Sequence, residues 1–157
     1  MKILLHTLVL ITTILFATDT FAVERYVVVD KPARKIYVIH DRDTIFRAGV
    51  CLGRNLGNKQ HKDDYRTPEG TFTISHIHDS SAWTKDFGYG EIYCYGPWFL
   101  RLYMPKWGHS IGIHGTANPA SIGGRRSQGC IRLKNKDIRR LQPLVNVGMK
   151  VIITPDF

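Results

Sequence analysis

The stretch Arg25-Tyr26-Val27-Val28-Val29-Asp30-Lys31-Pro32-Ala33-Arg34-Lys35-Ile36-Tyr37-Val38-Ile39 decides the fold class. Two runs of β-branched and aromatic residues flank Asp30-Lys31-Pro32-Ala33, a turn signal in which Pro presets φ and Asp bonds to nearby backbone. The pattern predicts a β-hairpin over 25–39. Working outward, Asp41-Arg42-Asp43 predicts a second turn leading into a strand over 44–50. The polar, Gly-containing run 53–67 reads as a long loop. Residues 71–78, Thr-Phe-Thr-Ile-Ser-His-Ile-His, alternate strictly and predict a half-buried strand. Further strands are expected over 98–104, 110–114 and 151–154. One helix stands out: Asn135 is read as its N-cap, and Ile138, Leu141, Leu144 and Val145 form one apolar stripe up to Gly148. The expected fold is mainly β, a sandwich or barrel with one helix of the C-terminal half packed against it.

The chain has 157 residues, 43% hydrophobic and 22% charged, values of a globular protein with room for one domain. Residues 1–22 read as a secretory signal peptide. Met1-Lys2 is a short positive start, 3–17 is apolar apart from His6, Thr7, Thr12 and Thr13, and Thr20-Phe21-Ala22 ends in a small residue. The apolar run is shorter than the roughly 20 residues of a membrane span, so no stable membrane anchor is expected. This divides the chain into a signal, 1–22, and one domain, 23–157, exported to the periplasm or cell envelope. Removing the signal takes away one Lys and one Asp, so the net charge of +9 belongs to the exported domain. A nucleic-acid partner is not expected, because the basic residues are scattered and no aromatic ribbon alternates with them.

Chemistry-bearing residues gather between Ile111 and Leu133. Ile113-His114-Gly115-Thr116 precedes a loop rich in Gly, Ser and Arg, which ends in Ser127-Gln128-Gly129-Cys130-Ile131-Arg132. A Cys in a Gly-flanked turn suits nucleophilic attack, since Gly129 removes a side chain from the approach to the sulfur and turn amides can face an oxyanion. The thiol needs a base, for which His114 is the candidate, and positive potential, which Arg132 offers along with a hold on a substrate carboxylate. No acidic residue lies near His114 in sequence, so a backbone carbonyl is the expected orienter of its ring. Spacing alone leaves a structural Cys and His as the competing reading.

The run His114-Gly115-Thr116 followed by Ser127-Gln128-Gly129-Cys130-Ile131-Arg132 resembles the L,D-transpeptidase catalytic (YkuD) domain. Arg66-Thr67-Pro68-Glu69-Gly70-Thr71-Phe72 is similar to that family's Thr-Pro-x-Gly-x-Phe/Tyr segment, and Ser121-Ile122-Gly123 also matches its layout. One departure is Gln128, where many members carry His. The resemblance implies a Cys130 nucleophile, His114 as proton donor and acceptor, and Gly129, Ser127, Arg132 and Gly115 as oxyanion or substrate contacts, with no metal and no cofactor. It further implies an acyl-enzyme with peptidoglycan tetrapeptide stems and release of D-alanine. The acceptor is then an amine, a wall-anchored protein among the possibilities. Hydrolysis by water, cleavage of wall links, or wall binding without catalysis are the alternatives on the same fold.

Four features stand outside that constellation. His76 and His78 share one strand face, read as polar surface in preference to a metal pair. Tyr89, Tyr93, Tyr95, Trp98, Tyr103 and Trp107 read as packing residues or as a lid over the site. Cys51 and Cys94 read equally as a disulfide or as two free thiols. Lys62-Asp63-Asp64 reads as a solvated loop.

Overall fold

The computed structural model describes residues 24–86, 90–108 and 111–157. The segment read as a signal peptide lies outside them. In chain order the elements are β1 (Arg25–Asp30), β2 (Lys35–His40), β3 (Asp43–Gly49), β4 (Leu52–Gly53), β5 (Gly70–Asp79), β6 (Lys85–Asp86), β7 (Glu91–Ile92), β8 (Trp98–Tyr103), β9 (Gly112–His114), β10 (Arg125–Ser127), β11 (Ile131–Arg132), α1 (Asn135–Leu141) and β12 (Lys150–Ile153). Short 3-10 turns cover Pro119–Ser121 and Gln142–Leu144.

Eight strands make one sheet in the order β11-β9-β8-β5-β12-β1-β2-β3. The hairpin read from residues 25–39 is its β1–β2 pair, in register from Arg25 opposite His40 to Asp30 opposite Lys35. Alternation then builds the core by rows. Phe46, Val38, Val27, Val151 and Phe72 are successive partners across five strands. Val27, Val38 and Val151 are wholly buried. The strand expected over 71–78 is part of β5, but its strict alternation breaks at a bulge between Ile74 and His76. The sheet curls. From β3 at one edge the chain runs through Val50 to Cys51, whose backbone exchanges two 2.9 Å hydrogen bonds with Arg132 at the opposite edge. The molecule is therefore a mainly β, curled half-barrel with one helix against its core, where Ile138 and Leu141 are fully buried.

Three details differ from the sequence reading. Asn135 does not cap α1: Lys134 holds the cap position with no side-chain bond, while Asn135 Oδ1 accepts the Thr116 amide at 2.8 Å. The helix ends at Leu141 because Pro143 cannot donate the next helical hydrogen bond, and the stripe continues in a 3-10 turn. Lys62-Asp63-Asp64 is not simply a solvated loop. Asp64 is buried, pairs with Lys59 Nζ at 2.8 Å and accepts the amides of Gln60, His61 and Arg66. Burial opposes its ionisation, but Lys59 and those amides outweigh it and hold the carboxyl below its usual range.

The Lys31 side chain is fully buried. Its ammonium reaches Gly57 O at 3.0 Å, Thr67 O at 3.1 Å, Glu69 Oε1 at 2.6 Å and Asp156 Oδ2 at 2.9 Å. Arg125 pairs with the other oxygen of Asp156. Removing one partner of a buried ion pair leaves an uncompensated charge and costs about 3–5 kcal/mol. Lys31→Met is accordingly expected to lower unfolding free energy by about 3 kcal/mol in urea titrations at neutral pH. A loss below about 1 kcal/mol contradicts this account of the cluster.

Candidate active site

The pairing of β9 with β11 sets the site. In this parallel pair Ile113 lies opposite Ile131 and His114 opposite Arg132. Side chains alternate along a strand, so the two isoleucines enter the core, fully buried, while His114 and Arg132 occupy the other face. One step earlier in the same alternation, Gly112 and Cys130 return to the face of His114. Cys130, directly before β11, thus falls on the same side as His114 of the neighbouring strand, one pleat further along.

The turn into Cys130 is fixed by hydroxyls. Ser127 is wholly buried; its Oγ donates to the Cys130 carbonyl at 2.6 Å and accepts the Gly129 amide at 3.0 Å. The Gly129 carbonyl accepts Thr67 Oγ1 at 2.9 Å, and Thr67 Oγ1 in turn accepts the Gly53 amide at 2.9 Å. Gly129 has φ +122, and a Cβ there would sit 2.8 Å from both Arg66 O and Ile111 Cδ1. Glycine is required here by both backbone conformation and space.

The His114 imidazole is 3% exposed. Its Nδ1 meets the Gly115 carbonyl at 2.6 Å, an orienter that is backbone and not carboxylate. With Nδ1–H donating to that oxygen, the lone pair lies on Nε2. The ring stacks on Phe99 at 5.3 Å and 9°, and Tyr95 meets it edge-on at 5.2 Å. Gly112 makes that stacking possible, since a Cβ there would lie 2.2 Å from Phe99 Cε1. Burial pushes the imidazole pKa down to about 4. The Gly115 carbonyl opposes this, Arg132 adds to it, and a backbone hydrogen bond at Tyr95 also opposes it. Desolvation pushes the Cys130 thiol up, against a backbone hydrogen bond at Gly112 and the charges of Arg132, Lys85 and Arg101. At neutral pH the pair is therefore thiol and neutral imidazole, suited to general-base activation of the thiol.

Cys130 opens into a cavity of about 850 Å³. Trp83, Tyr95, Phe99, Trp107 and Ile111 give it apolar walls, and Lys59, Lys62, Lys85, Arg101 and Lys106 give it positive charge. Gln128, at the position where many family members carry His, lines it too and accepts Lys85 Nζ at 3.3 Å. The six residues singled out from the sequence converge on this region in different capacities. Cys130 faces the cavity. His114 and Gly115 are not in its lining; a Cβ on Gly115 would strike Asn135 Oδ1 at 2.3 Å, and the Gly115 carbonyl holds His114. Ser127 and Gly129 shape the turn. Gly129 was expected to offer its amide to an oxyanion, but that amide is engaged by Ser127. Arg132 is not in the cavity lining; its backbone joins Cys51 and its Nε is buried with no hydrogen-bond partner among the described residues.

Sequence reasoning passed over Lys85, Arg101, Trp83 and Lys59, which come from separated segments with no motif to join them. Trp83, Tyr95 and Phe99 pack on one another, with centroids 5.6–6.0 Å apart, and Tyr93 is exposed; Tyr89 lies outside the described residues. His76 and His78 stack at 5.5 Å, and among the described residues no three metal-ligating side chains cluster. Cys51 and Cys94 are not joined in a disulfide.

Burial of a neutral His114 gives stability a definite pH dependence. The unfolded chain takes up this proton near pH 6.5, whereas the folded chain takes it up only near pH 4. Between these values the unfolded state binds more protons, so stability falls as pH falls through that window, by roughly 3 kcal/mol in full. Urea unfolding between pH 7.5 and 4.5 is expected to show a loss about 2–3 kcal/mol greater in the wild type than in His114→Gln. Equal losses in the two proteins would remove this account of the imidazole.

The model of the L,D-transpeptidase catalytic domain (YkuD) matches residues 24–153. YqjB of Bacillus subtilis (strain 168), a protein whose name assigns it to the L,D-transpeptidases, is 30% identical over 134 residues, 83% of this chain and 72% of that protein. YkuD of Bacillus licheniformis, similarly named, is 44% identical over 61 residues, 39% of this chain and 34% of that protein, so the matched part spans about a third of it. An L,D-transpeptidase structure from Mycobacterium smegmatis superposes with TM-score 0.62 at 22% identity, over 84% of this chain and 59% of that one. One from Enterococcus faecium does so with TM-score 0.62 at 17% identity, over 83% and 49%. The chain belongs to the L,D-transpeptidase catalytic domain (YkuD) family.

Proposed function

We propose that this protein is an exported cysteine L,D-transpeptidase that acts on tetrapeptide stems of peptidoglycan in the periplasm or cell envelope. The observation that carries the reading is a single arrangement: Cys130 in the lining of a cavity of about 850 Å³ rich in cationic side chains, with a buried neutral imidazole one pleat away on the same face.

In the reaction Cys130 Sγ attacks the carbonyl that joins the L-centre of the stem's diamino acid to D-alanine. The thiol proton passes to His114 Nε2 as the carbon–sulfur bond forms. Negative charge collects on the carbonyl oxygen, which the Cys130 amide stabilises, the Gly129 amide being engaged by Ser127. Collapse breaks the amide bond, and His114 returns its proton to the departing D-alanine amine. An amine acceptor, on another stem or on a wall-anchored protein, then attacks the thioester and gives its proton to His114. The new amide leaves, and the thiol regains its proton. Fixing His114 through Gly115 and Phe99 keeps the base in place for both half-reactions. Arg132, Lys85 and Arg101 lower the cost of the thiolate that develops during attack.

Incubation with a purified tetrapeptide stem, with and without an added amine, is expected to give intact-protein mass spectra carrying the tripeptide acyl group, with free D-alanine released. An amide product with the amine identifies transfer, and tripeptide alone identifies hydrolysis. Cys130→Ala is expected to form no adduct, and His114→Ala to acylate about 100-fold or more slowly. Release of D-alanine by Cys130→Ala at the wild-type rate overturns the mechanism. The acid limb of kcat/KM is expected near pH 4, not near 6.5, because the free enzyme's His114 stays neutral through that interval.

A further inference from the structure

The charge lining the cavity is out of proportion to what acyl transfer at Cys130 requires. Among the described residues, five cationic side chains, Lys59, Lys62, Lys85, Arg101 and Lys106, line it against one carboxylate, Asp63. Lys59 is met by Asp64, outside the lining. Lys62, Lys85, Arg101 and Lys106 line the same cavity as Cys130. Lys85 Nζ lies 3.3 Å from the side-chain oxygen of Gln128, two residues before Cys130. Arg101 is the register partner of Gly112, and its guanidinium sits 5.3 Å from the Phe99 ring centroid. Lys106 covers the Trp107 ring at 4.8 Å. Apolar walls with cationic heads along them fit a peptide that carries several negative groups.

Resting on the peptide-stem reading above, we infer that this cavity selects acyl donors by their free carboxylates and rejects the same donors when those carboxylates are amidated. Lys85 and Arg101 are the specificity-determining residues nearest Cys130. Carboxylate and carboxamide are nearly identical in shape, so exclusion by size does not separate them. They differ in two ways that this site detects. The carboxylate brings a negative charge into a surplus of positive ones. It also accepts hydrogen bonds at both oxygens, whereas a carboxamide presents an NH2 to lysine and arginine, which have donors only. Each amidation therefore loses one charge-assisted interaction and sets donor against donor. Such a loss reads as about tenfold in affinity or in acylation rate.

The test uses two synthetic tetrapeptide stems, identical except that the side carboxylates of the second and third residues are free in one and amidated in the other. With the wild-type protein at low salt, acylation followed by intact-protein mass is expected to be at least about tenfold faster in kcat/KM for the free-acid stem. The gap is expected to shrink at high salt, where exposed charges are screened, and to shrink in Lys85→Gln and in Arg101→Gln. Equal rates for the two stems, or a gap that neither variant changes, overturns the inference. Calorimetric binding of the same stems to Cys130→Ser separates recognition from chemistry. If neither stem acylates the wild type, the transpeptidase reading fails. A free-acid preference in binding then still supports carboxylate selection, and equal affinities reject it.

Discussion

A lysine ammonium held wholly out of water ties the distant parts of this chain together. Lys31 sits in the turn of the first hairpin, yet its four oxygen partners come from the 53–69 segment and from the C-terminal tail. An ammonium at that depth is tolerated only if its charge is met and its donors are used, and both conditions are satisfied by residues far away in sequence. The consequence runs inward. Lys31 fixes the Thr67 carbonyl, the Thr67 hydroxyl fixes the Gly129 carbonyl, and Gly129 opens the turn that presents Cys130. The turn carrying Cys130 is thus supported by a chain of bonds that begins in the N-terminal hairpin.

The second support is the sheet itself. Neighbouring strands place Phe99, His114 and Arg132 in one row and Arg101 and Gly112 in the next, with Cys130 continuing that second row. The opposite face of the same strands, Leu100, Ile113 and Ile131, is fully buried core. A one-residue slip would exchange the two faces, so the apolar pattern that stabilises the fold also sets which side carries the chemistry. This is why the candidate general base can be both immobile and dry: its position is fixed by register, and its neutrality by burial.

The parts legible in sequence are those with a local signal. The first hairpin declares itself by β-branched runs around a Pro turn, β8 by its apolar and aromatic content, and the Cys130 turn by a Gly that no other residue can replace. What escaped the reading depends on distant partners. β12 looks like a terminal strand, but it is inserted between β5 and β1, parallel to the latter, because the chain returns through α1. β4, β10 and β11 are too short to show a period. Asn135 has the chemistry of an N-cap, but its acceptor is taken by Thr116 from across the fold. The charged triplet 62–64 hides a buried Asp64, since a run of charges does not reveal which one finds a lysine. The cationic wall of the cavity is assembled from three separate stretches, 59–62, 85 and 101–106, so no short window of sequence contains it.

The bridge between Cys51 and Arg132 has a consequence for how a peptide can be held. Strand β11 follows directly on Cys130 and borders the sheet, the natural place for an extended substrate to add itself as a further strand. Both main-chain groups of Arg132 that such a guest would use are already bonded to Cys51. Main-chain pairing at Arg132, on the strand that follows Cys130, is closed off, and with it one mode of recognition indifferent to side chains. Under the proposed function, a peptide reaching Cys130 is then held through its side groups by the walls of the cavity. On that proposed reading, the closure of the curled sheet shifts the burden of recognition from backbone to charge and shape.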